Sequence, residues 1–290
     1  MFVKNGFKLD KLCGYGCGGI CDEYIEISDK NELCNLFSGQ NKKKWFVIGS
    51  GYNTLISDLG VRERVLKLSG DFKEIEVKDR QIAAGAALTL GRLLTETKKN
   101  SLSGIEYMAG IPGTVGAAVK GNAGLKTRSI LDSIEKIEIF NTASNIFSEY
   151  HRSELEFSYR SSPFTDKDIV TEVQFILDAG VKEDIINKID QQISEKKMKQ
   201  PVDKKSCGCV FKNPINSAKS AAQLIESVGL AGHKIGNAEI SKMHSNYIIN
   251  NGGAGSKEIW ELICMIRSEV ELTCGIKLEL ELNLLGEGFL

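Results

Sequence analysis

The sequence predicts an α+β fold, with a larger N-terminal unit of two lobes and a smaller C-terminal unit. Three observations carry this expectation. Short strand-like segments crowd residues 44–177. A long amphipathic pattern follows at 182–199, with isoleucines at 185, 186, 189 and 193, polar enough to bridge two units. Beyond it, strand-like and helix-like segments alternate. The 290 residues exceed what one small core needs. The expected division is 1–70 for the first lobe, 71–180 for the second and 181–290 for the C-terminal unit, with the last strand free to return to the first lobe.

Taken in order, "KWFVIGSGYNTLIS" (44–57) reads as a short apolar strand entering a glycine-rich turn. "ERVLKL" (63–68), "KEIEV" (73–77) and "QIAAGA" (81–86) read as short strands. "TLGRLLTETKKN" (89–100) has helical spacing at Leu90, Leu93 and Leu94. Residues 104–124 form a glycine-punctuated loop with a short helix near its middle. "IEKIEIF", the polar turn "NTASN" and "IFSEY" predict a hairpin over 134–150, and "DIVTEVQFIL" (168–177) a further strand. After the bridging helix, "SCGCVFKN" reads as a strand and 217–229 as a helix ended by Gly229. "NYIIN" (246–250) is a strand, 256–275 a helix with Ser256 as N-cap, and 276–286 a closing strand.

Composition excludes more than it assigns. The 37 basic and 38 acidic side chains nearly cancel, which argues against a nucleic-acid or membrane-surface partner. The basic run at 41–44 reads as a solvated turn. No apolar stretch reaches the length of a membrane span, and the N-terminus lacks a signal-peptide pattern. A cytoplasmic monomer is expected. Eight cysteines, at 13, 17, 21, 34, 207, 209, 264 and 274, should then stay reduced. "CGYGCGGIC" lacks tight Cys-x2-Cys pairs, so its cysteines read as small packing residues rather than a metal site. Cys264 and Cys274 fall in an apolar helical pattern and read as core.

Two glycine loops, "GSGYNTLISD" and "AGIPGTVGAAVKGNAG", share one logic. Backbone N–H groups approach an anion closely only where side chains are missing. A helix start behind such a loop adds partial positive charge, so the pair could cradle a pyrophosphate. Neither loop is a Walker or a dinucleotide-binding pattern, since no Gly-Lys-Ser/Thr follows and "GSGYNT" lacks a third glycine. Two tight turns that merely need glycine explain the composition equally well.

Five motifs in fixed order decide between these readings: "VIGSGYNTLISDLG", "GIEYMAGIPGTVGAAVKGNAG", "FSYRSSPF", "KQPVDKKSCGCVFKNP" and "LELELNLLGE". Together they resemble the bacterial UDP-N-acetylenolpyruvoylglucosamine reductases over almost the whole chain. The resemblance implies a two-lobed FAD-binding unit of the vanillyl-alcohol-oxidase (PCMH-like) type plus a C-terminal α+β substrate domain. It implies non-covalent FAD, with NADPH as hydride donor. The implied reaction reduces the enolpyruvyl ether of UDP-N-acetylglucosamine to UDP-N-acetylmuramate, for peptidoglycan synthesis. It places Gly49, Ser50, Gly51 and Asn53 in the first flavin loop. Gly110, Ile111, Pro112, Gly113, Gly116, Asn122 and Gly124 fall in the second. Tyr52 stands where the family usually has serine. Arg160 and Cys209 are 49 positions apart, which suits the shorter of two family types.

The same resemblance assigns the chemistry. Hydride delivery to the alkene builds an enolate-like charge that needs a cation, and Arg160 offers a bidentate fork for it. Glu281 matches the catalytic glutamate; Glu279 is its nearest decoy, and strand period alone cannot separate the two. The proton donor, usually serine, is here Cys209, whose thiol is far more acidic than an alcohol. A single residue separates Cys207 from Cys209, a poor spacing for an unstrained disulfide. A strand would put Cys209, Phe211 and Asn213 on one face, with Lys212 opposite. Asn213, Lys199 and Tyr159 match substrate-binding positions. His244, in "KMHSNYIIN", reads as structural or as lining the substrate edge. Two rivals stay open from the residues: the flavin subunit of a molybdenum hydroxylase, and a non-catalytic redox sensor suggested by the cysteines alone.

Overall fold

The computed structural model describes residues 1–39, 43–125 and 128–289; Asn41 and Lys42 of the basic run lie outside them. By packing, the chain divides into two interleaved units. The first holds Met1–Val3, Ile25–Ser50 and Leu66–Glu195, and the second Lys4–Tyr24, Gly51–Val65 and Lys196–Leu290. No helix of the described residues is long and apolar enough to cross a membrane.

The first unit is built on an antiparallel five-stranded sheet. Its order is Ile146–His151, Ile134–Asn141, Asp168–Ile176, Gln81–Gly85, Ile75–Lys78. The hairpin over 134–150 forms because Asn141 closes its turn. Asn141 Oδ1 accepts the Ala143 and Ser144 amides, and Asn145 takes a left-handed φ of 59°. Alternating residues Ile137, Ile139, Val173 and Phe175 are buried and meet the apolar stripe of the helix Leu90–Lys99 in one core. Thr89 caps that helix, its hydroxyl accepting the Arg92 amide at 3.2 Å. The short helix Val115–Lys120 packs on the strand Asp168–Ile176. In the long helix Lys182–Lys199, Ile185 and Ile189 enter the core, whereas Ile186 stays exposed.

The second unit carries an antiparallel sheet of Lys234–Ile235, Ala238–Ile240 and Ile248–Asn250, packed against the helix Ser256–Cys274. Ile259, Leu262, Ile263, Ile266 and Val270 form the buried stripe of this helix. Cys264 and Cys274 lie off the stripe and are half-buried, so they are not core. Ser256 is the first helical residue rather than the cap. Its amide donates to Asp58 Oδ2 at 2.5 Å and its hydroxyl accepts the Asp58 amide at 2.9 Å. A residue 198 positions away supplies the cap, which no local pattern could announce. The helix expected from 217 begins at Ala221, because Ser220 and Gln223 form a reciprocal capping box.

Two expected strands differ from the structure. In "SCGCVFKN" only isolated bridges form, Cys209 with Tyr247 and Phe211 with Leu280. The Val210 amide donates to Asn246 O on one side; the Lys212 amide donates to Glu279 O on the other. The segment hands its pairing from one neighbour to the next within two residues, so neither ladder grows. Of 276–286, only Asn283–Leu285 is a strand, parallel to Thr54–Ile56.

Candidate active site

In the first unit, the loop after Met108 presents bare backbone. Gly113 has φ 138°, and a Cβ there would point into open space. The Ile111, Val115 and Gly116 amides are consumed within the fold, donating to Met108, Leu88 and Ala86 carbonyls. Those of Gly110, Gly113 and Thr114 donate to no backbone acceptor among the described residues. The available donors therefore include loop amides and that of Thr114, the N-cap residue of the helix. Gly116 has a packing reason instead, since a Cβ would meet Ala86 Cβ at 2.7 Å. Gly49 lies against the same helix, where a Cβ would sit 2.8 Å from Thr114 Oγ1.

Asn122, at φ 43°, donates its side-chain amide to Ser158 O at 2.7 Å. Its buried Oδ1 has no hydrogen-bond partner among the described residues, a state that costs roughly 1–3 kcal/mol unless a ligand fills it. Arg160 sits at φ 54° with Nη1 3.2 Å from Asn122 O and Nη2 3.1 Å from Gly124 O. Its guanidinium lies 5.3 Å from the Tyr159 ring centroid, and Tyr159 is exposed. Amides wanting an acceptor and a buried oxygen wanting a donor fit FAD, whose diphosphate, hydroxyls and ring N–H offer both.

In the first glycine loop, Gly49 and Ser50 belong to the first unit and Gly51 and Asn53 to the second. Gly51 has φ 73°, and a Cβ would come 1.8 Å from Leu12 O. Gly51→Ala is expected to cost more than about 3 kcal/mol of stability, read as a lower urea midpoint; an unchanged midpoint would mean that the 12–14 backbone yields freely. Asn53 is exposed, yet its side chain is engaged: Nδ2 donates to Glu281 O at 3.0 Å, and its own carbonyl accepts the Asn283 amide at 3.0 Å. It thereby fixes the segment that carries Glu281.

Cys209 is half-buried and faces Tyr247 across their antiparallel bridge, with a hydrogen bond between the side chains. Burial, then the charges of Cys209 and Glu281, push the Tyr247 phenol well above its ordinary range. Cys209, Tyr247 and Glu281 thus form one cluster. Glu279 is exposed and pairs with Lys212 at 3.6 Å. Because the segment is not a regular strand, the structure separates two glutamates that sequence period could not. The half-exposed Lys212 and exposed Asn213 follow Cys209, and Asn213 Oδ1 accepts the Ala221 amide at 3.0 Å. Lys199 is exposed at a helix end, while Lys196 nearby is buried and its amine is pushed down to about 8 by burial.

Cys207 takes no part with Cys209. Its thiol points to the Thr54 carbonyl at 3.4 Å and contacts Cys13, which also meets Cys17. All three are buried, as packing residues should be. Burial pushes Cys207 up, contact with Cys13 and burial push Cys17 up, and hydrogen bonds from Cys17 and Cys207 hold Cys13 down. Every cysteine of the structure is a free thiol, and no group of metal-binding side chains occurs among the described residues.

Sequence reasoning missed Tyr247 and Asn246. The buried Asn246 side chain accepts the Phe211 amide at 2.9 Å and donates to the Phe211 carbonyl at 2.8 Å, standing in for a strand partner. The available signal was a polar residue heading the apolar run "YIIN", within a stretch already noted for His244. The His244 ring makes an edge contact with Tyr247 at 4.9 Å, and burial pushes its pKa down.

Comparison with known proteins agrees with this layout. Residues 25–146 match the FAD binding domain family. Residues 200–285 match the C-terminal domain of UDP-N-acetylenolpyruvoylglucosamine reductase. UDP-N-acetylenolpyruvoylglucosamine reductase 1 of Bacillus cereus is 36% identical over 84% of this chain and 81% of its own. The reductase of Rickettsia massiliae is 32% identical over 98% of this chain and 95% of its own. The crystal structure of the Thermus caldophilus enzyme superposes with a TM-score of 0.86 at 34% identity, covering 98% of this chain and all of that one. Fold and cradle define a flavin-dependent oxidoreductase. The chain belongs to the UDP-N-acetylenolpyruvoylglucosamine reductase family.

Proposed function

We propose that this chain reduces the enolpyruvyl ether of UDP-N-acetylglucosamine with electrons from NADPH, giving UDP-N-acetylmuramate for peptidoglycan. It works as a cytoplasmic monomer, without nucleic-acid or membrane partners. FAD, when bound, supplies the two-electron carrier between donor and alkene. The chain's residues do the rest. The Gly110–Gly113 loop, with Asn122, holds the cofactor. Arg160 offers its cationic fork to the substrate carboxylate. Cys209 delivers the proton to the carbon next to that carboxylate, and Glu281 hydrogen-bonds the developing enolate. Asn213, Lys199 and Tyr159 contact the rest of the substrate, the Lys199 ammonium suiting the diphosphate.

The observation that carries this reading is the clustering of Cys209 with Glu281 and Tyr247 in a family match spanning nearly the whole chain. The test uses the purified protein with its flavin. NADPH without oxygen should bleach the yellow spectrum, and UDP-N-acetylglucosamine enolpyruvate should restore it. A flavin that bleaches but ignores this substrate would point to an electron-transfer subunit instead.

A further inference from the structure

We propose that Tyr247 is a positioning residue for Cys209: its phenol donates to the Cys209 sulfur and stabilises the thiolate that proton delivery leaves behind. The inference rests on the reading of Cys209 as the acid. In that step the S–H bond breaks, a C–H bond forms at the substrate carbon, and the electron pair stays on sulfur. Solvent later restores the proton.

The backbone enforces the arrangement. Asn246 grips both backbone groups of Phe211 through its side chain, and its carbonyl accepts the Val210 amide at 2.8 Å. That register leaves Cys209 directly opposite Tyr247. Directly opposed residues of an antiparallel pair project to the same face, with Cβ atoms about 4.5–5.5 Å apart. Tyr247 cannot swing away, because it is buried, with its amide donating to His244 O and its carbonyl accepting the Ser241 amide. Cys209 and His244 contact it, and Glu281 acts on it by charge. Burial, the largest influence on it, keeps the phenol protonated, so it serves as donor and not as acid. A hydrogen bond to the charged form of a group favours that form. The thiolate is thereby favoured once the proton has left.

Tyr247→Phe removes only the hydroxyl. The first readout is alkylation of Cys209 by iodoacetamide across pH, followed peptide by peptide by mass spectrometry on the flavin-loaded protein. The profile is expected to move to higher pH, with alkylation near neutrality slowed roughly tenfold. The second readout is the pH profile of flavin reoxidation by the enolpyruvyl substrate, which should move the same way while reduction by NADPH is unchanged. The same substitution placed in Cys209→Ser should have a much smaller effect on reoxidation. An identical alkylation profile in a Tyr247→Phe protein that retains flavin and melts like the parent overturns the contact. A moved alkylation profile with unmoved reoxidation overturns the acid role of Cys209, and with it the catalytic meaning of Tyr247.

Discussion

Cys209→Ala is expected to bleach normally with NADPH and then recover its colour about a hundred- to ten-thousand-fold more slowly when the enolpyruvyl substrate is added, the range typical of a lost general acid. The two half-reactions divide the molecule's tasks. On the proposed reading the groups that hold the cofactor are untouched by the substitution, so bleaching should persist. What disappears is the proposed proton source. In that scheme Glu281 cannot take over without giving up its own proposed hydrogen bond to the enolate. Cys209→Ser should keep substantial activity, because the hydroxyl can occupy the same position opposite Tyr247. Stopped-flow absorbance on the three proteins checks this. An alanine variant that recovers colour at the parental rate would remove Cys209 from the mechanism. A correctly folded but inactive serine variant would mean the thiol is needed for another reason.

The fold was legible where local chemistry is decisive. The hairpin over 134–150 rests on alternation plus an asparagine turn, and the helix Leu90–Lys99 on leucine spacing plus a threonine cap. Both signals lie within a few residues of what they specify. Legibility failed where a partner distant in sequence takes over. Asp58 caps the helix at Ser256, and Asn246 replaces a strand partner for Phe211. The segment through Cys209 looks like a strand because its residues alternate, yet it divides its hydrogen bonds between two neighbours. The same division explains the two glutamates. A period-two strand would have kept them equivalent, whereas the irregular backbone turns Glu279 outward to Lys212 and leaves Glu281 beside Tyr247. The glycine loops were legible as loops, but not which glycine is required by packing and which faces open space. Gly116 has a neighbour's methyl where its Cβ would be, and Gly113 has open space.

Arg160→Lys is expected to lower the rate of substrate-driven reoxidation by about a hundred- to a thousand-fold, the usual loss when one electrostatic donor is removed from a developing charge. The charge is conserved, so the argument turns on geometry. The guanidinium reaches Asn122 O and Gly124 O with separate nitrogens, and a planar fork matches a carboxylate in a way a single ammonium does not. A lysine ammonium is a point donor and cannot hold both carbonyls and a ligand in one plane. Two roles could produce the loss, and they separate cleanly. If Arg160 only braces the flavin loop, Arg160→Lys will release flavin on dialysis, and saturating FAD will restore the rate. If it also meets the substrate carboxylate, the rate will stay low with FAD saturated, while bleaching by NADPH recovers. Near-parental kinetics in both half-reactions would take Arg160 out of the chemistry and leave it as a brace for residues 122–124.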